Sequence, residues 1–227
     1  MKKVVLITGG SDGLGKAIAE YLVSDYQVVI VSPTGDKLKD VSTDTGADYI
    51  VADVSDYKSL TKAVDLVVKK YGRLDCLVNN AGVWIEGELD DNDPDRIRRV
   101  IEINNLGVVF ASKAVIPQMK KQKTGLIVNI NSQGGFYAKA ERSVYSAAKW
   151  GVTGFTKSLQ GELAKYGISV TGIYPGKMNT KMFEKMGIEK DMKDSLEPKE
   201  VARLIKFLLE SDGKVNFPEI GIKNINN

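Results

Sequence analysis

Apolar residues along this chain fall into short continuous runs separated by longer stretches of helical periodicity. Val4-Val5-Leu6-Ile7 is such a run, closed by Thr8 and a glycine cluster, the pattern of a strand buried on both faces. Leu14, Ala17, Ile18, Tyr21 and Leu22 then recur at helical spacing. Gln27 to Val31 predicts a second strand, followed by a Ser-Pro-Thr-Gly turn and a polar helix around Lys37 to Val41. Tyr49-Ile50-Val51 predicts a third strand, and Leu60, Val64, Val67 and Val68 the apolar stripe of the next helix. Leu74 to Val78 predicts the fourth strand.

One long helix is then expected to open at Asp93 as N-cap with Pro94 in the first turn, where a missing N–H costs nothing. Its stripe continues through Ile97, Ile101, Leu106 and Val109, and it must end near Gly125. Leu126 to Ile130 is the fifth strand, Ser143 to Lys165 another long helix and Ile168 to Ile173 the sixth strand. Glu197-Pro198 opens a last helix carrying Val201, Leu204, Ile205 and Leu208, and Val215 to Ile222 adds an edge strand. Strands alternating with helices imply right-handed crossovers. The expectation is an α/β chain, a single doubly wound Rossmann-type domain over residues 1–227, with a parallel sheet of about seven strands and helices on both faces. The stretch Lys177 to Leu196 is long for a connection, which points to a substrate lid or covering helix.

Composition narrows the chemistry. The chain of 227 residues contains no histidine, which excludes Ser-His-Asp hydrolysis, histidine-ligated metals and histidine acid/base catalysis. No metal is expected. The single cysteine, Cys76, lies inside an apolar run and reads as a small core residue. A net charge of +3 with mixed signs gives no nucleic-acid or membrane signal, and the run Lys120-Lys121-Gln122-Lys123 reads as a solvated helix end. No secretory pattern precedes Val4 and no apolar stretch is expected to span a bilayer, so a cytoplasmic protein is expected.

The loop Thr8-Gly9-Gly10-Ser11-Asp12-Gly13-Leu14-Gly15 lies between the first strand and first helix. Glycines there let backbone N–H groups approach a pyrophosphate at a helix N-terminus, where the dipole favours anions. Tyr145-Ser146-Ala147-Ala148-Lys149 places a phenol and an amine four residues apart, on one helical face. A free tyrosine titrates near about 10. An ammonium ~4 Å away, at an effective dielectric of ~20, favours the phenolate by about 4 kcal/mol. The pair is a credible general acid/base. With nine tyrosines in the chain such a spacing also arises by chance, so context decides.

That context resembles the short-chain dehydrogenase/reductase family along nearly the whole chain. The Thr-Gly-x-x-x-Gly-x-Gly loop, Asp53-Val54, Asn79-Asn80-Ala81-Gly82, Asn104, Ser132, Tyr-x-x-x-Lys and Pro175-Gly176 with Thr180 stand in family order. The resemblance implies an NAD(P)-dependent oxidoreductase moving a hydride between a nicotinamide and a carbonyl or secondary alcohol. It implies that Tyr145 exchanges the proton with the substrate oxygen, Lys149 supports that exchange and binds the nicotinamide ribose, and Ser132 orients the oxygen. Asn104 resembles the family's helix-distorting asparagine, and two asparagines in mid-helix, Asn104 and Asn105, call for such a reason. Asn131 stands where relatives often have serine.

Cofactor contacts are expected from Gly9, Ser11, Asp12, Gly13, Leu14, Gly15, Ser32, Asp53, Val54, Asn80, Ala81, Gly82, Tyr145, Lys149, Pro175, Gly176 and Thr180. Ser32 replaces the acid that bonds the ribose of NAD, and Ser32, Thr34 and Lys37 could donate to a 2′-phosphate. Asp12 argues the other way, or caps the first helix. The balance leans to NADP, with NAD the alternative. Trp84, Tyr137, Met178, Met182, Phe183 and Met186 suggest an apolar substrate or plain packing in equal measure. Resemblance also implies a homodimer or homotetramer. Epimerase or dehydratase chemistry, or a non-catalytic dinucleotide sensor, are the competing readings.

Overall fold

The computed structural model describes residues 2–184, 187–189 and 191–226. Strands β1 (Val4–Thr8), β2 (Gln27–Ser32), β3 (Asp48–Val51), β4 (Cys76–Asn79), β5 (Gly125–Ile130), β6 (Ile168–Pro175) and β7 (Glu219–Ile222) form one sheet. Its order is β3-β2-β1-β4-β5-β6-β7, with every neighbouring pair parallel. The helices are α1 (Gly13–Leu22), α2 (Gly35–Thr45), α3 (Tyr57–Tyr71), α4 (Pro94–Ile101), α5 (Gly107–Gln122), α6 (Ser143–Ala164) and α7 (Pro198–Glu210). This is the expected doubly wound α/β architecture, with about seven strands realised as seven.

Alternation along the strands builds two cores. Val5, Ile7, Val28, Ile30, Cys76, Val78 and Val128 point to one face and pack with α1, α2 and α7. Val4, Leu6, Val29, Val31, Leu77 and Ile127 point to the other and pack with α3, α5 and α6. Cys76 is fully buried in the first core, and that burial pushes its thiol up, so it behaves as packing rather than as a nucleophile. Chain order reverses between β1 and β4, each parallel to the other, so a crevice opens beyond their carboxyl ends.

The long helix expected from Pro94 onward is broken into three. Asp93 caps α4 by accepting from Arg96 N–H at 2.9 Å. The backbone then widens into a π-helical turn at Glu102–Leu106 before α5 resumes. A π turn inserts one residue into the ladder and rotates the side chains that follow. The whole run Pro94–Gln122, 29 residues, is long and apolar enough to cross a membrane by length and composition, contrary to expectation. It is instead laid across the second core, where Ile103, Ala111, Val115 and Met119 are buried. The segment after β6 forms no α-helix among its described residues. It is pinned at its base, where Met178 pairs with Leu196 and Leu196 N–H donates to Lys177 O at 2.8 Å.

Candidate active site

The segments that follow strands β1 to β6 meet at the crevice with the π turn and the start of α6. The glycine loop after β1 is shaped by contact as much as by flexibility. Gly9 has φ +67°, and a Cβ there would come within 2.8 Å of Ala81 Cα; a Cβ on Gly15 would stand 2.2 Å from Gly9 O. Thr8 ties this loop to the end of β4: its hydroxyl accepts from the N–H groups of Asn80 (3.0 Å) and Ala81 (3.1 Å). Asn80 Nδ2 returns bonds to Thr8 O (2.9 Å) and Gly9 O (3.1 Å). Asp12 is the N-cap of α1 and accepts from Gly13 N–H at 2.6 Å, which realises the capping alternative.

At the nucleotide end, the Ser11 hydroxyl donates to that of Ser32 at 3.0 Å. Asp53 accepts from Ser55 N–H and Oγ and from Arg99 Nη2 at 3.0 Å. Burial alone would raise this carboxyl, but the bonds from Ser55 and Arg99 hold it below its usual range. At the other end, Asn104 is fully buried and grips Val83 twice. Its Oδ1 accepts from Val83 N–H and its Nδ2 donates to Val83 O, both at 2.7 Å.

Tyr145 and Lys149 lie one turn apart on α6, both buried. Ser132 accepts from Gly134 N–H at 3.0 Å and hydrogen-bonds the Tyr145 phenol. Lys149 Nζ donates to Ile130 O at 3.2 Å and stands 5.8 Å from the centre of the Tyr145 ring. Asn131 steadies the same turn by donating to Lys149 O at 3.2 Å. Electrostatics here correct the expectation from spacing. Burial raises the Tyr145 phenol, opposed by the Ser132 bond and by the charge of Arg142, and the net shift is upward. Burial also lowers Lys149, to about 8. Desolvation penalises phenolate and ammonium alike, so the pair's attraction does not win in the dry pocket.

These parts enclose a cleft of about 530 Å³. Of the residues expected to contact a cofactor or substrate oxygen, all but Gly15 line it, whereas Thr34 and Lys37, the further donors considered for a 2′-phosphate, do not. Gly15 lies beneath the loop, so its part is close packing. Trp84, Tyr137, Met178, Met182 and Phe183 also line the cleft, whereas Met186 lies outside the described residues. Trp84 packs on Tyr145 (ring centres 4.3 Å apart) and on Phe183 (5.1 Å). Sequence reasoning missed Arg99, Lys139 and Arg142, which line the cleft from a helix, a loop and a helix cap. Nothing in their local pattern separates them from solvated surface cations. The shape suits an extended dinucleotide: Gly13, at the N-terminus of α1, faces Thr180 across a gap that a Cβ would fill, 3.7 Å from Thr180 Cβ.

Residues 3–191 match the profile of the family described as short chain dehydrogenase. The chain is 35% identical over 233 residues to trans-4-hydroxycyclohexanecarboxylate dehydrogenase of Sinomonas cyclohexanicum, covering 93% of this chain and 87% of that one. Among solved structures it is similar to ElxO with NADP bound, at 32% identity and a TM-score of 0.88, over 98% of this chain and 97% of that one. It is also similar to the alcohol dehydrogenase of the archaeon Thermococcus sibiricus complexed with 5-hydroxy-NADP. That match has 25% identity and a TM-score of 0.89, over 99% and 97% of the two chains.

Proposed function

Because this chain belongs to the short-chain dehydrogenase/reductase family and is an NAD(P)-dependent oxidoreductase, we propose that it interconverts a carbonyl compound and a secondary alcohol, with Tyr145 exchanging the proton. The observation that carries this reading is the Ser132–Tyr145–Lys149 set, with Tyr145 and Lys149 buried and Ser132 partly so, at one wall of the cleft whose other end is the glycine loop.

The cofactor, when bound, gives or takes the hydride. Gly9, Ser11, Asp12, Gly13 and Leu14 would hold its pyrophosphate side, Asp53 and Val54 its adenine, and Pro175, Gly176 and Thr180 its nicotinamide side. Tyr145 keeps its proton at neutral pH because burial favours the uncharged phenol. It is therefore set to donate that proton to a carbonyl oxygen in reduction, and Ser132 orients the same oxygen. Lys149, close to its titration point at about 8, is able to return a proton to the site. Asn104 holds Val83 and the π turn beside this group. Lys177 to Leu196 acts as the substrate lid, bringing Met182 and Phe183 over the cleft.

Tyr145→Phe keeps the ring against Trp84 but removes the proton. Turnover is expected to fall by roughly a thousandfold or more, within the range general acid catalysis supplies, while cofactor affinity stays near that of the wild type. Appreciable remaining turnover removes Tyr145 from this role.

NADP is the preferred cofactor on this reading. The end of β2 offers the Ser11–Ser32 hydroxyl pair instead of a carboxylate that would repel a 2′-phosphate, and Asp12 is engaged with Gly13 N–H. Titration of both dinucleotides checks it: NAD binding as tightly as NADP refutes the preference. The protein is further proposed to act in the cytoplasm as a homodimer or homotetramer. The half-exposed Trp150 on α6 and Leu106 at the π turn support an assembly through the long helices.

A further inference from the structure

The two ends of the cleft differ in charge. The acidic residues that line it, Asp12 and Asp53, both stand at the nucleotide end. Around Ser132 and Tyr145 the charged lining residues other than Lys149 are Lys139, Arg142, Lys177 and Lys181, and no described carboxylate lines that part. Lys177 is occupied, since its Nζ donates to the carbonyls of Asp191 and Lys193. Lys139 and Lys181 both line this cleft and are exposed, with no ion pair among the described residues.

Arg142 is built in more firmly. It is the N-cap residue of α6, three positions before Tyr145, and α6 opens with no side-chain cap on its N–H groups. Its guanidinium lies over the Trp84 ring, 5.0 Å from the centre. Nε and Nη2 both donate to Glu86 Oε1, at 3.3 and 3.2 Å, which leaves Nη1 outside that pair. Glu86 is also held by Trp84 Nε1 at 3.2 Å, so its role is to fix the guanidinium plane rather than to face the cleft. The result is an aromatic wall of Trp84 and Phe183 with the Arg142 guanidinium over it at the N-terminus of α6, in a cleft that Lys139 and Lys181 also line. An uncharged ketone would use the wall and leave the cations idle. A dicarboxylate-sized charge has no apolar-free surface to occupy. One carboxylate on an apolar body satisfies both, because a guanidinium fork matches carboxylate geometry and a partly desolvated rim strengthens the attraction.

We propose that the substrate is a carbonyl or secondary-alcohol compound bearing a carboxylate. The carboxylate is taken by Arg142, Lys139 and Lys181, and the apolar body lies on Trp84 and Phe183. The inference rests on the oxidoreductase reading of the same cleft and sharpens it. A carboxylate held at the rim fixes the distance from charge to carbonyl, and so selects which ring or chain position meets Tyr145.

Binding to the NADPH complex of the full chain tests this, read from NADPH fluorescence. Benzoate is compared with benzamide, and cyclohexanecarboxylate with cyclohexanecarboxamide. Each acid is expected to bind roughly tenfold or more tightly than its amide, a difference of about 1.4 kcal/mol. Added sodium chloride should weaken the acids and leave the amides unchanged. In the double variant Lys139→Ala, Lys181→Ala the gap between acid and amide should shrink several-fold, with NADPH affinity as the control for an intact fold. Amides binding as well as acids, or no binding by any of the four, overturns the proposal. Failure of the wild type to bind NADPH at all would instead overturn the oxidoreductase reading beneath it.

Discussion

Tyr145 and Lys149 share one face of α6, and both are almost sealed from water. The amine is the more informative of the two. Its pKa lies at about 8, against 10.5 for an ordinary lysine, because burial disfavours the ammonium. Below about 8 both folded and unfolded chains carry the proton, and the fold bears the full cost of burying the charge. Between about 8 and 10.5 the folded chain has released the proton while the unfolded chain retains it, so stability rises with pH across this window. The shift corresponds to about 3 kcal/mol at most. Lys149→Met removes the charge and the bond to Ile130 O together. Its stability relative to the wild type should therefore be most favourable near pH 7 and decline as pH rises through that window, while activity is lost throughout. Denaturant unfolding at several pH values measures this; a pH-independent difference would mean that Lys149 titrates normally in the fold.

The π turn at Glu102–Leu106 is the element on which the substrate side depends. It places Asn104 inward, where a single amide satisfies both backbone groups of Val83, the residue that leads the chain from β4 toward Trp84. Asn104→Ala strands the N–H and C=O of partly buried Val83, each costing up to about 1–3 kcal/mol. A drop in stability of about 2–4 kcal/mol is expected, together with reduced turnover because Trp84 and Tyr145 pack directly on each other. Thermal unfolding and steady-state kinetics check the two effects, and an unchanged melting temperature would show that the Val83 contacts are dispensable. The asparagine pair was visible as a local irregularity in a helical pattern. The form of the distortion was not, because a π turn costs little in sequence terms and is selected by what the widened turn can grip.

Across the whole molecule, the cleft is a junction of segments far apart in sequence, welded by Thr8, Asn80 and glycines without room for a side chain. Gly15 shows how strict the weld is. An alanine there would gain about 1 kcal/mol of helix propensity, yet its Cβ would stand 2.2 Å from Gly9 O and 2.6 Å from Asn80 Nδ2. Gly15→Ala is expected to push the loop away from β4 and weaken NADP binding by roughly tenfold or more, measured by dinucleotide titration; undiminished affinity would show that the loop yields at no cost. The order of elements, the seven strands, the glycine loop, the Tyr-x-x-x-Lys face and the asparagine in the helix could all be read along the chain. Each depends on residues close in sequence: β-branched runs that must be buried, periodicity that sets a helix face, glycines that permit a tight turn. Charge at the site could not be read that way. The direction of the Tyr145 and Lys149 shifts was decided by how much water the packed cleft excludes. Arg99, Lys139 and Arg142 became wall residues only when α4, the loop before α6 and the cap of α6 were brought together around the cleft. Burial and convergence are sums over distant neighbours, and no window of the sequence contains them.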